Sequence, residues 1–192
     1  THGLTQYTAG LTYVAQSGAL NESVSDVFGI LVKQMHEKET AETSDWLIGE
    51  GLFTDRVKGV ALRSMKAPGT AYDDPVLGRD PQPGHMDDYE VLPHDAEHDN
   101  GGVHINSGIP NRAFYLTATA LGGNAWERAG QIWFDTVTAK GVPKDVDFAG
   151  FAALTVKAAR KRYGKGSVEA AAVTQGWAGV GIGVALGGAQ GR

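Results

Sequence analysis

The sequence predicts a mainly α-helical domain interrupted by a long irregular loop region. Apolar residues recur at helical spacing in several separate stretches. Pro68, Pro75, Pro81, Pro83 and Pro93 gather with many aspartates between residues 66 and 102. The 192 residues are 42% hydrophobic and 20% charged, enough chain and apolar content for one domain with its own core.

Residues 1–10 read as the end of a helix running into a turn, and 11–18 as extended. Leu20, Val24, Val27, Phe28 and Leu31 share one helical face, which predicts a helix over 20–38. Gly29 inside it suits a close packing contact. Residues 39–60 are polar and loop-rich, anchored by Trp46, Leu47, Ile48 and Leu52. The proline-rich run 66–102 reads as a surface excursion with little regular structure. Helices follow over 111–121, at Trp126 to Val137, over 148–163 and over 168–177. Residues 181–192 lack the strand and acidic residue of a dinucleotide fingerprint and read as a Gly-rich flexible tail beyond a domain of 1–180.

Composition narrows the function classes. The net charge is −5 and no basic patch stands out, which argues against a nucleic-acid partner. Lys157, Arg160, Lys161, Arg162 and Lys165 form the one basic run, and they fit a helix C-terminus, where cations complement the dipole. Cysteine is absent, which excludes disulfides, thiolate metal sites and cysteine nucleophiles. No apolar run reaches the ~20 residues that span a bilayer.

Two segments carry the chemistry. Residues 99–108, Asp-Asn-Gly-Gly-Val-His-Ile-Asn-Ser-Gly, place Asp99 five positions before His104 in a Gly-rich loop. Residues 18–26, Gly-Ala-Leu-Asn-Glu-Ser-Val-Ser-Asp, place Glu22 and Asp26 one helical turn apart on a common face. His2 opens the chain. Singly, these are a solvated helix face, a polar end residue and a structural histidine. Together, an imidazole, a carboxylate and a separate acid-paired histidine are parts of a hydrolytic zinc site.

With the segments 1–11, 17–29, 46–50 (Trp-Leu-Ile-Gly-Glu) and 62–65 (Leu-Arg-Ser-Met), these residues resemble the thermolysin family of zinc metalloendopeptidases. The match covers most of 1–180. It implies the C-terminal helical domain of such an enzyme and hydrolysis of peptide bonds by metal-activated water. Thr1-His2 resemble the last two positions of the family's H-E-x-x-H motif. The first histidine and the glutamate are then expected just before residue 1, on a missing N-terminal domain, and the chain alone is expected to be inactive.

Residue by residue, the resemblance implies that His2 and Glu22 are zinc ligands and that Asn21 orients His2. Asp26 would hold the first histidine, as carboxylates behind metal-bound imidazoles do. Tyr13 and His104 would serve the oxyanion, with Asp99 favouring protonated His104. Arg63 would bind a substrate carbonyl beside an apolar pocket of Ile48, Leu52 and Leu62, which favours a bulky hydrophobic residue after the scissile bond. The implied cofactor is zinc. Calcium is doubtful, because Lys33 and Leu47 replace members of the family's calcium cluster while Asp45 and Glu50 remain, and Val60 replaces an acidic residue of another site. The implied partner is a peptide or protein substrate, and the implied location is extracellular.

Three other readings compete. One is a non-catalytic peptide-binding module derived from the same fold. Another is a metal cluster in the acidic, His-rich run 94–99. The weakest is a serine hydrolase using Ser107 with His104 and Asp99, since no nucleophile elbow surrounds Ser107.

Overall fold

The computed structural model describes residues 1–184 and contains seven α-helices within that range. They are α1 (His2–Tyr7), α2 (Ala15–Glu37), α3 (Asp99–Asn106), α4 (Gly108–Leu121), α5 (Ala129–Val137), α6 (Phe148–Tyr163) and α7 (Val168–Ala178). Two small antiparallel ribbons lie between α2 and α3: β1 (Leu47–Ile48) with β2 (Arg63–Ser64), and β3 (Asp73–Asp74) with β4 (Gly78–Arg79). The mainly α architecture with a long irregular segment stands. No described helix is long and apolar enough to cross a membrane.

Helix α2 begins at Ala15, inside the stretch expected to be extended. Its first turn carries no large apolar residue, so spacing could not reveal it. Ser17 closes that turn instead, its hydroxyl donating to the carbonyls of Thr12 (2.7 Å) and Val14 (2.9 Å). Helix α4 likewise starts three residues earlier than expected, at Gly108, which packs against the Pro83 carbonyl. Helix α6 matches its expected bounds. Asp147 caps it by accepting from the Gly150 N–H (2.7 Å), and Arg160, Lys161 and Arg162 occupy its last turn. Ser167 caps α7 in the same way.

The core joins the helices through an aromatic chain. Trp133 stacks on Trp177 with ring centroids 6.2 Å apart, and Phe114 meets Trp133 edge-on at 5.0 Å. Trp46 and Phe151 extend this chain at either end. Both buried indoles of Trp46 and Trp177 have partners: Trp46 donates to the Ala41 carbonyl and Trp177 to the Thr155 hydroxyl, each at 2.9 Å. Val180 and Ile182 are buried in the same core. Most of the expected tail, 185–192, lies outside the described residues.

One ion cluster ties the irregular segment to α2. The Lys33 ammonium donates to both Asp45 oxygens (3.0 and 2.8 Å) and to Glu50 (2.9 Å). Burial alone would raise the Asp45 carboxyl, but Lys33 and the Leu47 N–H hold it below the usual range. Asp45 therefore adds stability above the unfolded value of about 3.9, and that contribution is lost as pH falls through its folded value. Lys33→Ala is expected to cost about 1 kcal/mol at neutral pH, because the cluster is partly exposed. The variant should also lose less stability than the parent on acidification below about pH 4. Urea unfolding at neutral and acid pH measures both.

Candidate active site

Helix α2 is the platform. It carries Asn21, Glu22 and Asp26 on one face, and α3 packs across its first turns. That approach requires Gly18: a Cβ there would stand 2.4 Å from Val103 Cγ1. The contact is what brings Glu22 and His104 together from positions far apart in sequence.

His104 was expected in a loop, and it lies in a helical turn instead. Asp99, Asn100, Gly101 and Gly102 all take left-handed backbone (φ 56°, 50°, 85° and 75°), and right-handed helix begins after them. The left-handed run folds Asp99 back over the new helix. One Asp99 oxygen accepts from the His104 backbone N–H (2.8 Å) and the other from its ring Nδ1 (2.5 Å). Backbone and ring are thus fixed by a single carboxylate. Gln82 fixes the other side, its amide donating to the His104 carbonyl (2.7 Å) and to Ser107 Oγ (3.0 Å).

Four side chains from α1, α2, α3 and the loop after α1 converge. Glu22 Oε1 stands 3.6 Å from His2 Nε2 and 3.7 Å from His104 Nε2. The Tyr13 hydroxyl donates to Glu22 and lies 3.1 Å from His104 Nε2. Asn21 Oδ1 accepts from His2 Nδ1 (2.9 Å), which leaves the lone pair on His2 Nε2, the nitrogen facing Glu22. Glu22 is nearly buried, with 12% of its side chain exposed, whereas His2 and His104 are more than half exposed. Burial, then the bond to Glu22 and the charges of Glu22 and Asp99, push the Tyr13 phenol well above its ordinary value. Its hydroxyl therefore keeps its proton and donates at ordinary pH.

The donor set suits a metal. Zinc holds nitrogen and oxygen ligands at about 2.0–2.2 Å, so two ligands at a tetrahedral angle stand roughly 3.4 Å apart. The His2–Glu22 separation of 3.6 Å is close to that, and the His2 tautomer is the one that ligation at Nε2 needs. No group of three His, Asp or Glu side chains able to hold a metal occurs among the described residues. That applies also to the run 94–99, where Asp95 pairs with His98 (2.7 Å) and Asp99 with His104. The serine hydrolase reading fails on geometry. Ser107 is buried, and its hydroxyl donates to the His104 carbonyl (3.1 Å) instead of facing the ring.

Asp26 has partners that its spacing did not announce. Arg63 grips it with two bonds, Nε to Oδ2 (2.8 Å) and Nη2 to Oδ1 (2.7 Å), and the Asn111 amide donates to Oδ2 (2.9 Å). Burial works against the Arg63 charge, but Asp26 keeps the guanidinium firmly protonated. Arg63, Leu62 and His104 border a cavity of about 330 Å³ together with Phe53, Tyr72 and Leu77. Ile48 borders a neighbouring cavity with Asp26 and Lys33, and exposed Leu52 flanks Gly49 beside Leu62. Phe53, Tyr72, Leu77, Gln82 and Asn111 had no local sequence signal, because they reach the site only through the tertiary fold.

Comparison with known proteins agrees with the helical fold. The family model described as "Thermolysin metallopeptidase, alpha-helical domain" matches residues 9–182. An extracellular metalloprotease of Pectobacterium carotovorum subsp. carotovorum is 56% identical over 182 residues, 95% of this chain and 51% of that protein. Protease PrtS of Photorhabdus sp. (strain Az29) is 54% identical over 94% of this chain and 48% of its own length. The solved precursor of protealysin, a metalloproteinase from Serratia proteamaculans, superposes with a TM-score of 0.88 at 61% identity, covering 94% of this chain and 54% of that one. The chain spans about half the length of these relatives. It belongs to the thermolysin metallopeptidase family and carries that family's α-helical domain.

Proposed function

We propose that this chain is the ligand-bearing, substrate-binding part of a zinc-dependent endopeptidase that cuts before a bulky hydrophobic residue. The observation that carries the reading is the convergence of His2, Glu22, Tyr13 and His104 on one point. His2 and Glu22 would hold the metal, which supplies a polarised carbonyl and an activated water. Tyr13, kept protonated, donates to the oxygen that becomes negative as the carbonyl carbon turns tetrahedral. His104, oriented at its backbone and Nδ1 by Asp99, presents Nε2 to the same oxygen. Asn21 fixes the His2 ring. Asp26 fixes Arg63, whose Nη1 remains for a substrate carbonyl beside Leu62, and Asp26 would also brace a first histidine supplied from upstream.

The cluster at Lys33 supports a lost calcium site. Its ammonium already sits between Asp45 and Glu50, where a divalent cation would meet a like charge. The relatives named as extracellular enzymes support export of the full-length protein.

Digestion of a peptide library by the full-length protease tests the reading. Cleavage is expected before Leu, Ile, Phe or Val, graded because one methylene in such a pocket is worth only about 1–3 kcal/mol. Leu62→Phe should narrow the pocket and move the preference toward smaller residues. Cuts before charged residues, or an unchanged variant profile, would overturn the pocket assignment. A binding module without chemistry would leave the library intact.

A further inference from the structure

A larger cleft than those at the catalytic cluster lies elsewhere on the molecule. It is about 790 Å³, against about 600 and 330 Å³ for the cavities bordered by His2 and by His104. The end of α5, the loop after it and the outer face of α6 form its walls. Its floor is apolar, made by half-buried Val142, Leu154 and Ala158. Its rim is cationic: Lys140, Lys157, Lys161 and Arg162 border it, with Asp135 as the one carboxylate.

That carboxylate is already used. Arg162 holds both Asp135 oxygens, at 2.6 and 2.8 Å. Lys140, Lys157 and Lys161 are exposed and have no carboxylate at ion-pair distance among the described residues. Three positive charges without an ion-pair partner among the described residues therefore ring an apolar floor, on a chain whose net charge is −5. Dipole complementation at the end of α6 accounts for part of the basic run, but not for Lys140, which comes from another element, nor for the apolar floor between them. The loop that carries Lys140 and Val142 continues to Lys144, whose carbonyl accepts from the Thr12 N–H (2.7 Å) and which borders the His2 cavity. One loop thus touches both the cleft and the catalytic cluster.

We propose that this cleft is a binding site for an acidic, amphipathic peptide segment, apart from the candidate catalytic residues. Carboxylates of such a segment would meet Lys140, Lys157 and Lys161, and its apolar side chains would cover Val142 and Leu154. Repulsion from the net-negative surface elsewhere would confine the segment to the cleft. The role needs no peptide hydrolysis, so it stands or falls independently of the proposed activity.

Fluorescence anisotropy with a dye-labelled peptide of alternating Glu and Leu tests the proposal, beside the same peptide with Gln for Glu. The Glu peptide is expected to bind and to weaken as salt shortens the screening length. The Gln peptide is expected to bind at least about tenfold more weakly, as three exposed charge pairs allow. Combined Lys140→Gln, Lys157→Gln and Lys161→Gln should produce a similar loss while circular dichroism stays unchanged. Combined Arg56→Gln, Lys58→Gln and Lys66→Gln removes the same charge elsewhere and should leave binding intact. Equal binding of the two peptides, no binding of either, or equal loss in both triple variants would overturn the site. So would capture of the protein by anionic phosphatidylserine vesicles without binding of the peptide.

Discussion

Glu22→Ala in the full-length protease is expected to remove bound zinc and peptidase activity together, while His104→Ala is expected to lower kcat by about 10²–10³-fold with zinc retained. The two residues stand 3.7 Å apart, so proximity alone does not separate their roles. Their surroundings do. Glu22 is nearly buried, accepts from Tyr13 and lies 3.6 Å from the lone-pair nitrogen of His2, as the proposed ligand role requires. His104 is more than half exposed, faces the cluster from α3, and is held by Asp99 and Gln82 at its backbone and Nδ1, as the proposed role of a donor to substrate requires. A catalytic zinc has three protein ligands, so losing one carboxylate should empty it, whereas losing one oxyanion donor should only slow the chemistry. Metal analysis of both purified variants and steady-state kinetics on one peptide measure the difference. Zinc lost with His104→Ala, or retained with Glu22→Ala, would exchange the assignments.

The parts of this site that sequence revealed are those that neighbours in sequence build. Glu22 and Asp26 lie one turn apart, and helical periodicity alone puts them on one face. Asp99 and His104 are five apart, and the pairing was legible although the backbone between them was misjudged. A Gly-Gly pair suggests a loop, but here it supplies two of four left-handed residues that turn the chain directly into helix. Helix starts were misplaced for a related reason. The first turn of α2 holds small and polar residues, and a hydrogen bond forms it where no apolar stripe exists, while that of α4 holds Gly108 and Pro110, residues that punctuate helices, beside buried Ile109. Gln82, Asn111 and the Arg63–Asp26 pairing were invisible because each joins residues between 22 and 85 positions apart. Nothing near Asp26 in sequence reports which cation will reach it.

That cation makes Asp26 a position of large consequence for stability. Asp26→Ala is expected to destabilise the fold by about 3 kcal/mol, the low end for breaking a buried ion pair by removing one partner. Asp26 is 8% exposed and joins three elements, accepting two bonds from Arg63 on β2 and one from Asn111 on α4. Its loss strands a guanidinium that stays charged and leaves the Asn111 amide unpaired, beside an Asn111 Oδ1 that already lacks a partner. Arg63 is 27% exposed, so water can relieve part of its charge, which places the cost at the low end. Arg63→Ala should cost at least as much, because the carboxylate it abandons is the more buried of the two. The double replacement should cost clearly less than the sum, since no charge is then left alone. Urea unfolding of the parent, both single variants and the double variant closes the cycle. Single losses under about 1 kcal/mol, or strict additivity, would show that the pair is solvated and that Arg63 owes its position to the β1–β2 ribbon instead of to Asp26.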